Sequence, residues 1–156
     1  MNTYEELQEE ACNDGIEIID NYAFKSELIS GLYCDSTIAL SKNLKRTTEK
    51  KCVLAEELGH HYTAVGDIID QSTVENRKQE MRGRIVAYNK LVGLRGIVDA
   101  YLHHCQNLFE TAEFLGVTEE FLNDTLVYYR NKYGVYATVD NYAIIFEPSI
   151  AVMELI

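Results

Sequence analysis

The chain has 156 residues, 47% of them hydrophobic, and a single proline, which excludes a disordered tail or a fibrous chain and suits one domain with a real core. Acidic side chains outnumber basic ones 25 to 14, for a net charge of −11. A surface that acidic repels phosphate backbones and anionic membranes, which argues against nonspecific nucleic-acid binding and suits a basic protein partner. Cys12, Cys34, Cys52 and Cys105 form no CxxC pair, and no signal peptide is evident. No apolar run reaches the roughly 18 residues a bilayer span needs. Reduced thiols and a cytoplasmic location are therefore expected.

The first segment, TYEELQEEACNDG, predicts a short helix. Thr3 can cap it, Glu6 completes a capping box, and Gly15 follows its end. Ile16 to Ile19 reads as a strand. So do Gly31-Leu32-Tyr33 and Thr37 to Ser41, joined by a turn at Cys34-Asp35-Ser36. Thr47 or Thr48 can cap the next helix, which runs to about Thr63 with Val53, Leu54, Glu57, Leu58 and His61 at helical spacing. A third helix is expected over about Ser72 to Val92, ended by Gly93, with an apolar stripe of Val74, Met81, Ile85, Tyr88 and Val92. Further helices fit Arg95 to Cys105, Leu108 to Leu115 and Glu119 to Tyr133. The tail YGVYATVDNYAIIFEP alternates about Asp140-Asn141 and predicts a hairpin stopped by Pro148. Short early strands, central helices and a late hairpin give an α+β class.

Chemistry concentrates in CVLAEELGHHYTAVGD, residues 52–67. Glu56-Glu57-Leu58-Gly59-His60 is one residue away from His-Glu-x-x-His, in which two ligands four apart share a helix face and the Glu activates a metal-bound water. Positions four apart differ by only about 40° around a helix, so Glu56 converges with His60 and Glu57 with His61. Gly59 costs about 1 kcal/mol relative to Ala inside a helix, which points to close packing there. The competing reading is a solvated acidic helix with two surface histidines. For a third ligand, Glu80 shares a helix face with Gly83, Ala87 and Leu91 and can look inward. Its plainer alternative is a surface pair with Arg84. Glu75 lies on a more polar face with Lys78 and Gln79, and Asp67 is expected in the turn.

LAEELGHHYTAVGD followed by ENRKQEMRGRIVAYNKLV resembles the ImmA/IrrE family of metallo-endopeptidases, which occur on prophages and mobile elements beside helix-turn-helix repressors. In weaker form the resemblance extends to YEELQEEA and GLYCDSTIALSKNL. It covers most of a motif-bearing core at about 1–95, while ETAEFLGVTEEFLNDTLVYY in the extension at about 96–156 is similar to the helical region that often follows. The resemblance implies a single zincin-like domain over residues 1–156, with a small early sheet and a C-terminal hairpin. It implies that Glu57 is catalytic and that Glu56, His60 and Glu80 hold Zn²⁺, with His61 as an alternative ligand. Glu56 stands where the family has His, and aligning Ala87 with the family's second helix puts Arg82 at the acidic ligand position, two residues after Glu80. Two carboxylates and one imidazole make a harder site, so Mn²⁺ becomes more acceptable. The implied substrate is a helix-turn-helix repressor. The alternative is a metal-free relative that binds the regulator without cutting it, as an antirepressor or toxin–antitoxin component.

Three further features have plain readings. His103-His104-Cys105 on a helix point about 100° apart and read as a surface pair with a buried Cys. Thr111 to Tyr129 has the outline of a helix-turn-helix, but Glu119, Glu120 and Asp124 on its second helix would repel DNA, so it reads as packing. Cys52 reads as core filling. Eleven tyrosines leave the oxyanion donor open.

Overall fold

A computed structural model describes residues 3–63 and 74–156, with the backbone alone at 74–76. The chain is α+β, with six helices and two three-stranded sheets among the described residues. It divides into two compact units, Met1–Lys90 and Leu91–Ile156. Among the described residues no helix is long and apolar enough to cross a membrane.

In the first unit, α1 (Tyr4–Asn13) opens on Thr3, whose Oγ1 accepts the Glu6 N–H at 3.1 Å. Strands β1 (Glu17–Tyr22), β2 (Gly31–Cys34) and β3 (Thr37–Ser41) form a sheet in the order β1-β3-β2. β1 runs parallel to β3, and β2 pairs with it as an antiparallel hairpin. The hairpin turn is Asp35-Ser36, with φ of 48° and 58°, the positive pair that a type I′ turn requires. β2 is thereby an edge strand.

Helix α2 (Thr47–Thr63) begins one residue earlier than the threonine caps predict, because Glu49 accepts the Arg46 N–H at 3.1 Å and makes Arg46 the cap. Helix α3 spans Val74–Leu91. Its expected start at Ser72, the turn at Asp67 and the side chains of Val74 and Glu75 lie outside the described residues. Leu7 and Ala11 of α1, Ile38 and Leu40 of β3, and Leu54 and Leu58 of α2 are fully buried. Each such leucine contributes about 2 kcal/mol of burial, which offsets the polar groups buried on the same helix. The expected α3 stripe holds at Tyr88 and Val92, which are buried, and is corrected at Met81, which is 44% exposed; Gln79, Gly83 and Ala87 are buried as well. Small residues set that face because a helix crosses there at close range.

In the second unit, α4 (Gly93–Leu102), α5 (Leu108–Leu115) and α6 (Glu119–Tyr133) are followed by a meander of β4 (Tyr136–Val139), β5 (Tyr142–Ile145) and β6 (Ala151–Glu154). Asn107 caps α5 through the Glu110 N–H at 2.8 Å, and Thr118 caps α6 through the Phe121 N–H at 3.0 Å. Between them Gly116 takes the left-handed conformation, φ 69°, that ends a helix. Val98, Leu122, Tyr129 and Ile144 are fully buried. The hairpin turns at Asp140-Asn141 as its alternation predicts, but the chain resumes after Pro148 as a third strand. Glu119, Glu120 and Asp124 are exposed on α6. His103 and His104 are exposed at the end of α4, and Cys105 is half-buried with its Sγ donating to Glu110 O.

Candidate functional site

Apart from Ser41 at the end of β3, the polar residues buried among the described residues of the first unit lie on the two helices the motif selects. α2 buries Lys51, Glu57 and His60 among its apolar residues, and α3 buries Gln79. The helices meet at glycines. A Cβ on Gly59 would lie 2.1 Å from Gly83 O, and one on Gly83 would lie 2.1 Å from His60 Nδ1. Main chain therefore touches main chain, and the His60 ring fills the place of the missing Gly83 side chain. From the other side β2 crosses α2, where a Cβ on Gly31 would come within 2.6 Å of Val53 and 3.2 Å of Glu57 Cγ. Three glycines are what allow Glu57 and His60 to be enclosed.

Within that enclosure His60 Nε2 faces Glu80 Oε1 at 3.2 Å, and Arg84 Nε lies 3.7 Å from the same oxygen. Glu80 thus both looks inward and keeps its helical pair with Arg84. Burial pushes Glu57 up to about 7, with the Glu80 and Glu56 carboxylates adding to the rise and His60 partly opposing it. For His60, burial opposes charging, but the bond to Glu80 and the surrounding carboxylates outweigh it and raise the imidazole above its ordinary value. The hydrogen bond from His60 holds Glu80 below the usual glutamate range. The arrangement sets His60 against Glu80 in a contact that favours the charged form of each, beside a carboxyl that gains or loses its proton near neutrality.

The structure brings together Glu57, His60 and Glu80. Glu56 is half-buried one residue before Glu57, where its charge acts on both Glu57 and His60. His61 is engaged elsewhere. Its Nε2 bonds the Asp14 carboxylate, and Tyr33 Oη lies 2.8 Å from its Nδ1. Asp14 and Tyr33 lie 47 and 28 residues from His61 along the chain, so no local spacing announces them. Arg82 is exposed on α3.

A metal fits these residues in part. Two ligands of one tetrahedral zinc stand about 3.3 Å apart, close to the 3.2 Å between His60 Nε2 and Glu80 Oε1. Among the described residues, however, no three His, Cys, Asp or Glu side chains converge on one metal-sized point. His60 Nδ1, which a metal-bound imidazole uses to anchor its ring, is buried with no hydrogen-bond partner among the described residues. Comparisons with known protein families, curated proteins and solved structures found no match for the chain.

Proposed function

We propose that the first unit is a metal-dependent endopeptidase of the ImmA/IrrE type, acting in the cytoplasm on a companion helix-turn-helix repressor of a prophage or mobile element. The observation that carries this reading is the convergence of Glu57, His60 and Glu80 in one enclosed place where α2, α3 and β2 meet at glycines. His60 Nε2 and the Glu80 carboxylate would hold Zn²⁺ or Mn²⁺, with Glu56 as the third donor. A metal bound there would polarise the scissile carbonyl and lower the pKa of water. Glu57, poised near neutrality by burial, would serve as general base towards the attacking water and as general acid towards the leaving amine. Burial of Glu57 and His60 excludes bulk solvent from this transfer. The net charge of −11 suits a basic DNA-binding substrate.

A specific observation favours a second reading, a metal-free regulator-binding module: His60 and Glu80 already satisfy one another directly. Elemental mass spectrometry of protein purified without chelator separates the two. About one equivalent of Zn or Mn in the wild type, lost in His60→Ala, together with repressor cleavage that Glu57→Gln abolishes, supports the peptidase. No metal after incubation with Zn²⁺ or Mn²⁺, and a Glu57→Gln variant that still controls the repressor, ends it.

A further inference from the structure

The second unit carries an open sheet edge beside an apolar groove. Among the described residues strand β6 pairs only with β5, in the register Ile144↔Val152 and Tyr142↔Glu154. The Leu155 N–H bonds Asn141 O at 2.6 Å, which by antiparallel alternation turns the main-chain groups of Met153 and Ala151 toward β5 and those of Val152 and Glu154 outward. Those outward groups have no main-chain partner among the described residues. Beside them a groove of about 270 Å³ is lined by Ile97, Tyr101, Leu108, Leu122, Leu126 and Val152. The face of the sheet turned away from Ile144 is also apolar: Tyr136 aligns with Ile145 and Ala151, and Ala143 with Met153. Tyr136 is 60% exposed and Met153 is 53% exposed. A strand added at β6 would therefore find main-chain partners at its edge, a groove for one row of side chains and an apolar face for the other.

Charge selects the occupant. The unit holds nine acidic and three basic side chains. All three bases are engaged: Arg95 with Asp99 and Asp140, Arg130 with Glu147, and Lys132 over the Tyr128 and Tyr133 rings. Glu154 lies on the edge itself, and Glu110 borders the groove through its bond to the Gln106 N–H. Two copies of so acidic a unit repel one another, whereas a cationic strand is attracted. We propose that β6 is a strand-addition site for an extended, lysine- or arginine-bearing segment of a partner protein with apolar side chains. The site stands whether or not the first unit cuts peptides.

The test uses the full chain and two labelled peptides, one alternating Val or Ile with Thr between lysine ends, the other with glutamate for lysine. The lysine peptide is expected to bind saturably, about tenfold more tightly than its counterpart. Its binding should slow hydrogen exchange at the Val152 and Glu154 amides. Val152→Pro deletes an outward N–H, a change edge strands tolerate, and should weaken binding about tenfold. If that variant does not fold, Met153→Lys on the exposed face is expected to weaken the lysine peptide similarly. Absence of saturable binding, equal affinity for both peptides, or binding that leaves both amides exchanging freely overturns the proposal. So does a dimer in light scattering that Val152→Pro dissociates, since the edge would then belong to a second copy.

Discussion

The two units solve the burial problem in opposite ways. In the first, Lys51, Glu57, His60 and Gln79 are buried on two crossing helices; in the second, the one polar side chain so enclosed is Thr125, whose hydroxyl donates to Phe121 O within its own helix. A self-satisfied hydroxyl costs little, whereas an enclosed carboxyl and imidazole destabilise the fold unless they are paired or neutral. The first unit therefore holds buried groups whose stability depends on their pairing and protonation, and the second does not. The −11 chain thus divides its carboxylates into a buried one, Glu57, held by its surroundings, and exposed ones such as Glu119, Glu120 and Asp124 that face solvent.

The largest expected effect breaks the contact on which the first unit depends. Gly59→Ala drives a methyl onto Gly83 O, a main-chain atom that no rotamer change can move aside. A loss of about 4 kcal/mol is expected in urea unfolding, and a loss below about 1 kcal/mol would show that the helices slide apart cheaply.

A smaller effect tests the burial of charge itself. Glu57 has its folded value raised from 4.5 to about 7, so the folded chain holds a proton that the unfolded chain has released between those values. Stability of metal-free protein should accordingly fall as pH rises through that window, by about 3 kcal/mol. His60, raised above its ordinary 6.5, contributes stability that is complete below that value and is lost as pH climbs through its folded value. Glu80 acts on the other flank, where its contribution is lost as acid protonates it. Glu57→Gln should remove most of the alkaline loss and leave this variant the more stable protein at pH 8. An unchanged pH profile would mean that Glu57 is hydrated.

The smallest effect sharpens the contrast between neighbouring histidines. Tyr33→Phe removes one partner of the half-exposed His61 and should cost about 1 kcal/mol, while leaving the His60–Glu80 pair and its pH dependence in place. A shifted pH profile in this variant would join the two histidines into one system.

Much of the architecture was legible because it is written locally. Asn107, Gly116 and Thr118 place the ends of α5 and α6 where capping chemistry requires, and Asp140-Asn141 places the hairpin. Glu80 was legible as well, through the small residues that share its face. The resemblance singled out His60, but helical spacing did not, because α2 is buried over most of its circumference and a period of 3.6 cannot choose between adjacent histidines there. Within the α3 stripe Tyr88 and Val92 were legible and Met81 was misplaced for the complementary reason: a backbone-to-backbone crossing is made by residues with nothing to bury. Strand β6 has four residues and follows Pro148, too little for alternation to register. The Asp14–His61–Tyr33 link joins three elements distant in sequence, and only the fold brings them together.

The meeting of Gly59 and Gly83 separates scaffold from chemistry. A contact without side chains has no rotamers to freeze, so it fixes the separation of α2 and α3 with no side-chain entropy lost, the cost falling on the glycine backbone instead. It also tolerates no replacement, while Glu56, half-buried at its margin, can change without disturbing it. Across descendants of this chain, drift should rewrite the side chains around the crossing first and the two glycines last. The crossing would stay recognisable when little else in the sequence does.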